Sequence, residues 1–172
     1  MATLSDVKLA GLAGLLPVTA EDLTSYARVY EANQHRIYAL AFWMTDSEPA
    51  AEELMGNVFR RAFAHRSQPE PEAIDRALLS ELRETHVIGS LTLECGTVTE
   101  VSNIRRNARR VHLERAVVQL PATERLIFLF HDVEAYAHVR IARLLGITPD
   151  ESRHGLYQAR LRIRELISNM AF

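Results

Sequence analysis

The segment Leu145-Gly146-Ile147-Thr148-Pro149 separates two stretches of helical apolar periodicity, and it limits the local fold more tightly than any other part of the chain. Glycine permits the left-handed backbone needed to leave a helix, Thr148 can cap the next one, and Pro149 suits its first turn. The spacing predicts that residues 137–167 form two helices about a sharp bend, a helix-turn-helix. In the second helix Leu156, Ala159, Ile163 and Leu166 fall on one stripe, and Arg153, Tyr157, Arg160 and Arg164 on a neighbouring one. A helix so divided can lie on its domain by one side and offer arginines and a tyrosine to a nucleic-acid groove by the other. A solvated cationic face has the same periodicity; the glycine turn immediately upstream weighs towards DNA.

The rest of the chain also reads as helical. Leu23, Tyr26, Ala27, Tyr30, Ile37, Leu40, Ala41 and Met44 recur at three- and four-residue intervals, with Thr19 and Asp22 as a capping start. A second helix opens near Ser47 and Pro49 and carries Ala51, Leu54, Val58, Phe59, Ala62 and Phe63 on one face; Ser67-Gln-Pro-Glu-Pro71 breaks it. Ile74, Leu78, Leu82 and Ile88 mark a third, ending around Gly89. From there to about Ser102 no helical stripe survives and β-formers appear, so the stretch reads as a linker or a short strand pair. A basic helix containing Arg105, Arg106, Arg109 and Arg110 follows, then an apolar one after Pro121 with Leu126, Ile127 and Phe130. The expectation is an all-α chain of two small helical domains: an arm over 1–20, a three-helix domain over 21–91, a linker over 92–102 and a helix-turn-helix domain over 103–172.

Charge divides along the same line. Residues 1–100 hold 8 Lys+Arg against 15 Asp+Glu, a net −7, whereas residues 101–172 hold 12 against 7, a net +5. Only the second half has the sign expected of a phosphate-facing surface. All but one of the 20 basic residues are arginine, which favours bidentate contacts with phosphate or carboxylate, although a GC-rich genome produces the same bias. Cys95 is the single cysteine, so neither an intrachain disulfide nor a multi-cysteine zinc site can form, as suits a reducing cytoplasm. The run Leu9 to Leu16 is short and preceded by Asp6 as well as Lys8, which argues against a signal peptide. No stretch approaches the roughly 18 consecutive apolar residues of a membrane span. The N-terminal twenty residues read as a tail or an amphipathic contact arm.

Two longer stretches resemble a known family. Leu120-Pro121-Ala-Thr-Glu-Arg-Leu-Ile-Phe-Leu-Phe-His-Asp132-Val-Glu134, continuing through Ile141-Ala-Arg-Leu-Leu-Gly-Ile147 to Leu156-Tyr-Gln-Ala-Arg160, is similar to region 4 of sigma factors without gap or insertion. Ile37 to Met44, followed by Ala51-Glu-Glu-Leu54 and Val58-Phe-Arg-Arg-Ala-Phe63, resembles region 2. The order and the absence of a large middle domain resemble the extracytoplasmic-function group of the sigma-70 family. The resemblance implies a cytoplasmic transcription initiation factor that catalyses nothing and needs no cofactor, metal or small-molecule substrate. It implies that region 2 binds core RNA polymerase through Glu52, Glu53, Asn57 and Arg60 and opens the −10 element. Region 4 would dock on the polymerase flap and read the −35 element of promoter DNA with Arg153, His154, Tyr157, Arg160 and Arg164. An anti-sigma factor is the further partner it implies.

Departures from the family pattern fall where function rather than folding is encoded. Ala50, Gly56 and Asn57 stand where an acidic residue, Gln and Glu are usual in the polymerase-binding helix. Between Phe63 and Phe128 the chain has no aromatic residue, although the family places aromatic and basic groups there to capture unpaired bases. Leu78 replaces a common Trp, and Glu84 and Thr85 replace a common Arg-Asn pair. In the reading helix Ser152 replaces an apolar packing residue and Gly155 a frequent arginine. These losses, with the acidic first half, motivate an alternative: a sigma mimic or partner-switching protein that binds an anti-sigma factor and does not melt DNA. An enzyme is a weaker third reading, since His35, His65, His86, His112, His131, His138 and His154 form no His-x-x-x-His pair and Cys95 lacks a visible activating base.

Overall fold

The computed structural model describes residues 20–64, 69–94 and 109–170; of Asp22 only the backbone is described. Seven α-helices and one π-turn make up the described residues, which contain no strand. The chain divides into two units, Met1–Glu84 and Thr85–Phe172.

The first unit holds α1 (Ala20–Thr45), α2 (Glu48–Phe63) and α3 (Pro71–Leu82). Ser47 is the N-cap of α2 with Pro49 in its first turn, so the expected start is found; Thr19 lies outside the described residues. Helix α2 packs against both α1 and α3. The predicted stripe residues Ile37, Leu40, Met44, Val58, Phe59, Ile74, Leu78 and Leu82 are all buried, whereas Leu23 is 41% exposed. Each large aliphatic or aromatic side chain removed from water in this way contributes about 1.5–3 kcal/mol. Tyr30 meets Phe59, and Tyr26 meets Phe63, at centroid separations of 4.8 Å. One charge enters this core: Asp75 of α3 is fully buried and accepts a 2.6 Å hydrogen bond from Arg36 of α1.

Helix α3 stops at Leu82, earlier than its apolar spacing indicates. Beyond it Arg83 to His86 turn away, and Ile88 belongs to no helix. Gly89, in the second unit, has a φ of 107° and donates its amide to Thr123 Oγ1 at 3.2 Å. Residues 89–94 form no strand; the remainder of the expected linker, and Arg105 and Arg106, lie outside the described residues.

The second unit holds α4 (Arg110–Val117), α5 (Ala122–Phe128), the π-turn Leu129–Val133, α6 (His138–Leu145) and α7 (Pro149–Asn169). Helix α7 is its axis, packed by α4, α5 and α6. Leu126, Ile127, Phe130, Ile141, Leu145, Leu156, Ala159 and Ile163 form the core. Arg125 closes the exit of α4, donating to the carbonyls of Leu120, at 2.7 Å and 3.1 Å, and of Val118. These carbonyls have no intrahelical donor, so the guanidinium satisfies acceptors that the end of a helix leaves open.

Candidate nucleic-acid interface

The bend between α6 and α7 has the chemistry its sequence specifies. Gly146 takes the left-handed conformation at a φ of 76°, and its amide and that of Ile147 both donate to the carbonyl of Ala142, at 2.9 Å and 3.1 Å. Thr148 caps α7: its Oγ1 accepts from the Glu151 amide at 3.1 Å, and Glu151 Oε2 accepts from the Thr148 amide at 2.7 Å. This reciprocal box satisfies two amides that helix initiation leaves open. The Thr148 backbone and hydroxyl hold the Glu151 carboxyl below its ordinary range.

Arg153, His154, Tyr157, Arg160 and Arg164 are all exposed along α7, while Ser152, Gly155, Leu156, Gln158, Ala159 and Ile163 are buried. At about 100° per residue, Arg153, Tyr157, Arg160 and Arg164 lie within one narrow arc, and His154 borders it. Tyr157 is 56% exposed, a wide presentation for an aromatic side chain on a packed helix.

The arginines differ in their engagement. Arg153 pairs with Asp150 one turn earlier on the same helix. Arg160 makes a two-pronged contact with Asp132, Nη2 to Oδ1 at 2.6 Å and Nε to Oδ2 at 3.1 Å. Asp132 reaches this position because the chain widens into the π-turn, in which Glu134 donates to Leu129 at 3.0 Å; such turns recur where a side chain must be re-aimed. Burial pushes the Asp132 carboxyl up, but its bonds to Arg160 and His131 outweigh this and hold it below the ordinary range. The same contact raises the Arg160 guanidinium above its usual value, against a smaller opposing effect of burial.

A histidine pair lies beside these charges. His131 and His138 stack with ring centroids 4.5 Å apart; His131 Nδ1 donates to Asp132 Oδ1 at 2.8 Å, and His138 Nδ1 is hydrogen-bonded to Ser152 Oγ at 3.0 Å. Burial first, then the nearby His131, Arg153 and Arg160, hold the His138 imidazole below 6.5. Ser152, polar where the family is usually apolar, is thus fully buried and partnered. Among the described residues no group of three or more His, Cys, Asp or Glu side chains could hold a metal ion.

Beside Arg160 and Arg164 an open groove of about 400 Å³ has an apolar floor of Leu113, Phe128, Ile163 and Ile167, and these two arginines rim it together with Arg109 and Arg110. Periodicity had no means of locating it, because three helices contribute to it. Asp132 and the two histidines were equally hidden: each is an ordinary polar residue in its own helical stretch.

In the first unit Glu52, Glu53 and Arg60 are exposed on α2, and Asn57 is half-buried. Arg60 donates to Asn57 Oδ1 at 2.9 Å. Gly56 has open space where a side chain would stand. On the same helix Arg61 binds Glu81 Oε1 at 2.5 Å and Glu84 Oε1 at 2.9 Å. Leu78, at the position where the family commonly has Trp, is wholly buried.

A capped helix-turn-helix whose second helix exposes arginines and a tyrosine along one side defines a DNA-binding class of protein. Residues 110–163 match the family model described as Sigma-70, region 4, a span that runs from α4 into α7. The match covers about a third of the chain and gives that span a likeness to region 4 of the sigma-70 family, a family of non-enzymatic transcription factors. No curated protein matches the chain.

Proposed function

We propose that the chain is an extracytoplasmic-function sigma factor that brings core RNA polymerase to promoter DNA in the cytoplasm. The observation that carries this reading is the exposed stripe of Arg153, Tyr157, Arg160 and Arg164 on α7, directly after the Gly146 turn, with all but Arg164 inside the region 4 match. Arg153, His154 and Tyr157 border the first turns of α7, the part of a recognition helix that reaches base edges, and they would read the −35 element. Arg160 and Arg164 lie further along and would meet phosphates. The apolar groove between α4 and α7 suits an apolar helix of a partner, and the polymerase flap would be its occupant. In the first unit Glu52, Glu53, Asn57 and Arg60 form the polymerase-binding side of α2.

One observation favours a second reading. Glu81 and Glu84 stand with Arg61 on the side of the first unit where the family captures single-stranded bases, and carboxylates there repel phosphate. A sigma mimic that binds an anti-sigma factor and does not melt DNA would have this surface. Transcription from a pool of promoter-bearing templates by purified core polymerase tests both. Start sites that appear only with this chain support the initiation factor; none, together with tight capture of an anti-sigma factor, supports the mimic.

A further inference from the structure

The chain between the two sets of helices is not a bare tether. Residues 89–93 belong to the second unit and touch its helices at three places. Gly89 adopts a φ of 107° and passes the last turn of α6 so closely that a Cβ there would stand 3.2 Å from the carbonyl oxygen of Leu145. Its amide donates to Thr123 Oγ1, a hydroxyl with 1% exposure. Two residues on, Thr92 and Leu93 both donate their amides to Glu124 Oε1, at 2.5 Å and 2.8 Å, with Thr92 Oγ1 at 3.4 Å from the same oxygen. Leu91, between these anchors, places its methyls against α7 at Gly155, where a Cβ would come within 2.8 Å of Leu91 and 2.7 Å of Ile127.

Glu124 has no other role visible in the fold. It is fully buried in the first turn of α5; among the described residues its Oε2 has no hydrogen-bond partner and the donors to its Oε1 all belong to the strap. A buried carboxylate is costly unless its charge is met by hydrogen bonds, so two backbone amides converging on one oxygen make a specific latch. Gly155 complements it. Nearly opposite Arg153 and Tyr157 on the helix wheel, it leaves α7 without a side chain where Leu91 enters. The strap therefore touches the bend through Gly89 and the back of the reading helix through Leu91, behind the residues proposed to meet DNA.

We infer that residues 89–93 are a strap that braces the helix-turn-helix from behind, and that Glu124 and Gly155 are positioning residues for DNA recognition by α7. This rests on α7 being the DNA reader. Held at the bend and at Gly155, α7 presents Arg153, His154 and Tyr157 in one orientation; with the strap released, a leucine-sized gap opens behind them and the same side chains scatter over several. A well-positioned recognition helix loses affinity when its orientation is no longer fixed, because part of the binding energy must then order it.

The test uses the full chain and a duplex enriched by it from a random pool. Amide hydrogen exchange at Thr92 and Leu93 is measured in the wild type, in Leu91→Ala, in Glu124→Ala and in the double variant, with duplex affinity measured well below each melting temperature. Leu91→Ala lies outside every helix, so it keeps the test available should Glu124→Ala fold poorly. The expected result is exchange at least about tenfold slower in the wild type than in either variant, and affinity about tenfold lower in each variant, the loss expected when a charge-assisted hydrogen bond or a packed leucine is removed. The double variant should be no weaker than the worse single one, since both changes release one strap. Equal exchange in wild type and variants overturns the dock, and released amides with unchanged affinity overturn the bracing role. Failure of the wild type to enrich any duplex sinks the reader assignment instead, and the exchange rates report the dock independently of it.

Discussion

Arg160 and Asp132 form a two-pronged ion pair on the side of α7 proposed to face DNA, so one of the reader's cations is already held by a carboxylate of its own unit. A phosphate approaching Arg160 must share the guanidinium with Asp132 and meets the negative charge of the latter as well. Asp132→Asn removes that charge and frees the arginine. The expected outcome is tighter duplex binding, by several-fold at low salt, and a salt dependence steeper by about one counterion. A titration across salt concentrations measures both, and weaker binding by Asp132→Asn would place Arg160 outside the DNA contact.

Arg153 offers the complementary case. Its partner Asp150 is 93% exposed, so their pairing is a surface contact of little energetic weight, and the arginine can exchange it for a phosphate or a base edge. Arg153→Ala should lower duplex affinity by about 1–3 kcal/mol if it reads a base, or reduce the salt slope by about one if it meets a phosphate. Unchanged affinity and slope would remove it from the contact surface.

These two residues mark where sequence reasoning stopped. The helices, the Gly146 bend, the Thr148 cap and the exposed arginine stripe follow from spacing and local chemistry, because a helix places residues three and four apart on one side whatever surrounds it. The partner of Arg160 comes from a π-turn 28 residues earlier, and no local pattern predicts a turn widened by tertiary packing. The strap was hidden for a similar reason: Thr92 and Leu93 are held by a carboxylate that reads in sequence as an ordinary first-turn glutamate of α5. Ser152 and Gly155 were visible as departures from a family pattern. Their explanations, His138 and Leu91, needed three dimensions.

The stacked His131–His138 pair predicts a pH response of stability. His138 is held below 6.5 by burial first, and then by the neighbouring His131, Arg153 and Arg160, with Asp132 opposing them weakly. The folded state therefore binds a proton less readily than the unfolded chain, and the unfolded state takes up more protons as pH falls. The contribution of this group to stability is intact above pH 6.5 and is lost as pH falls from there through the lower folded value. Urea unfolding at pH 7.5 and 5.5 should show a drop in the wild type that is smaller in His138→Gln. An equal drop in both would assign the effect to other groups.

The buried pair of Arg36 and Asp75 should respond unequally to loss of its two members. Arg36 is 20% exposed at its side chain and Asp75 not at all. Removing the aspartate leaves an arginine that can move towards water, whereas removing the arginine leaves a carboxylate inside the core with its principal cation gone. Arg36→Ala is expected to cost about 3–5 kcal/mol and Asp75→Ala less. Chemical denaturation of the two variants provides the comparison, and a larger loss in Asp75→Ala would contradict this account of where the burial cost resides.

Gly56 and Gly146 separate two uses of glycine that a sequence records with the same letter. A Cβ at either position would meet nothing within 4 Å, so neither substitution is opposed by packing. Gly56 lies inside α2, where alanine is favoured over glycine by about 0.8–1 kcal/mol. Gly146 ends α6 at a φ of 76°, a conformation that costs an L-residue roughly 1 kcal/mol. Gly56→Ala should therefore stabilise the first unit and Gly146→Ala destabilise the second by similar amounts, measured by thermal unfolding of each variant. Because Gly146 also sets the exit angle of α6 towards the reading helix, its alanine variant should lose duplex affinity at temperatures where it remains folded, whereas Gly56→Ala should bind duplex as the wild type does. Equal affinity in both variants would mean that the bend tolerates a side chain without turning α7 away from its groove.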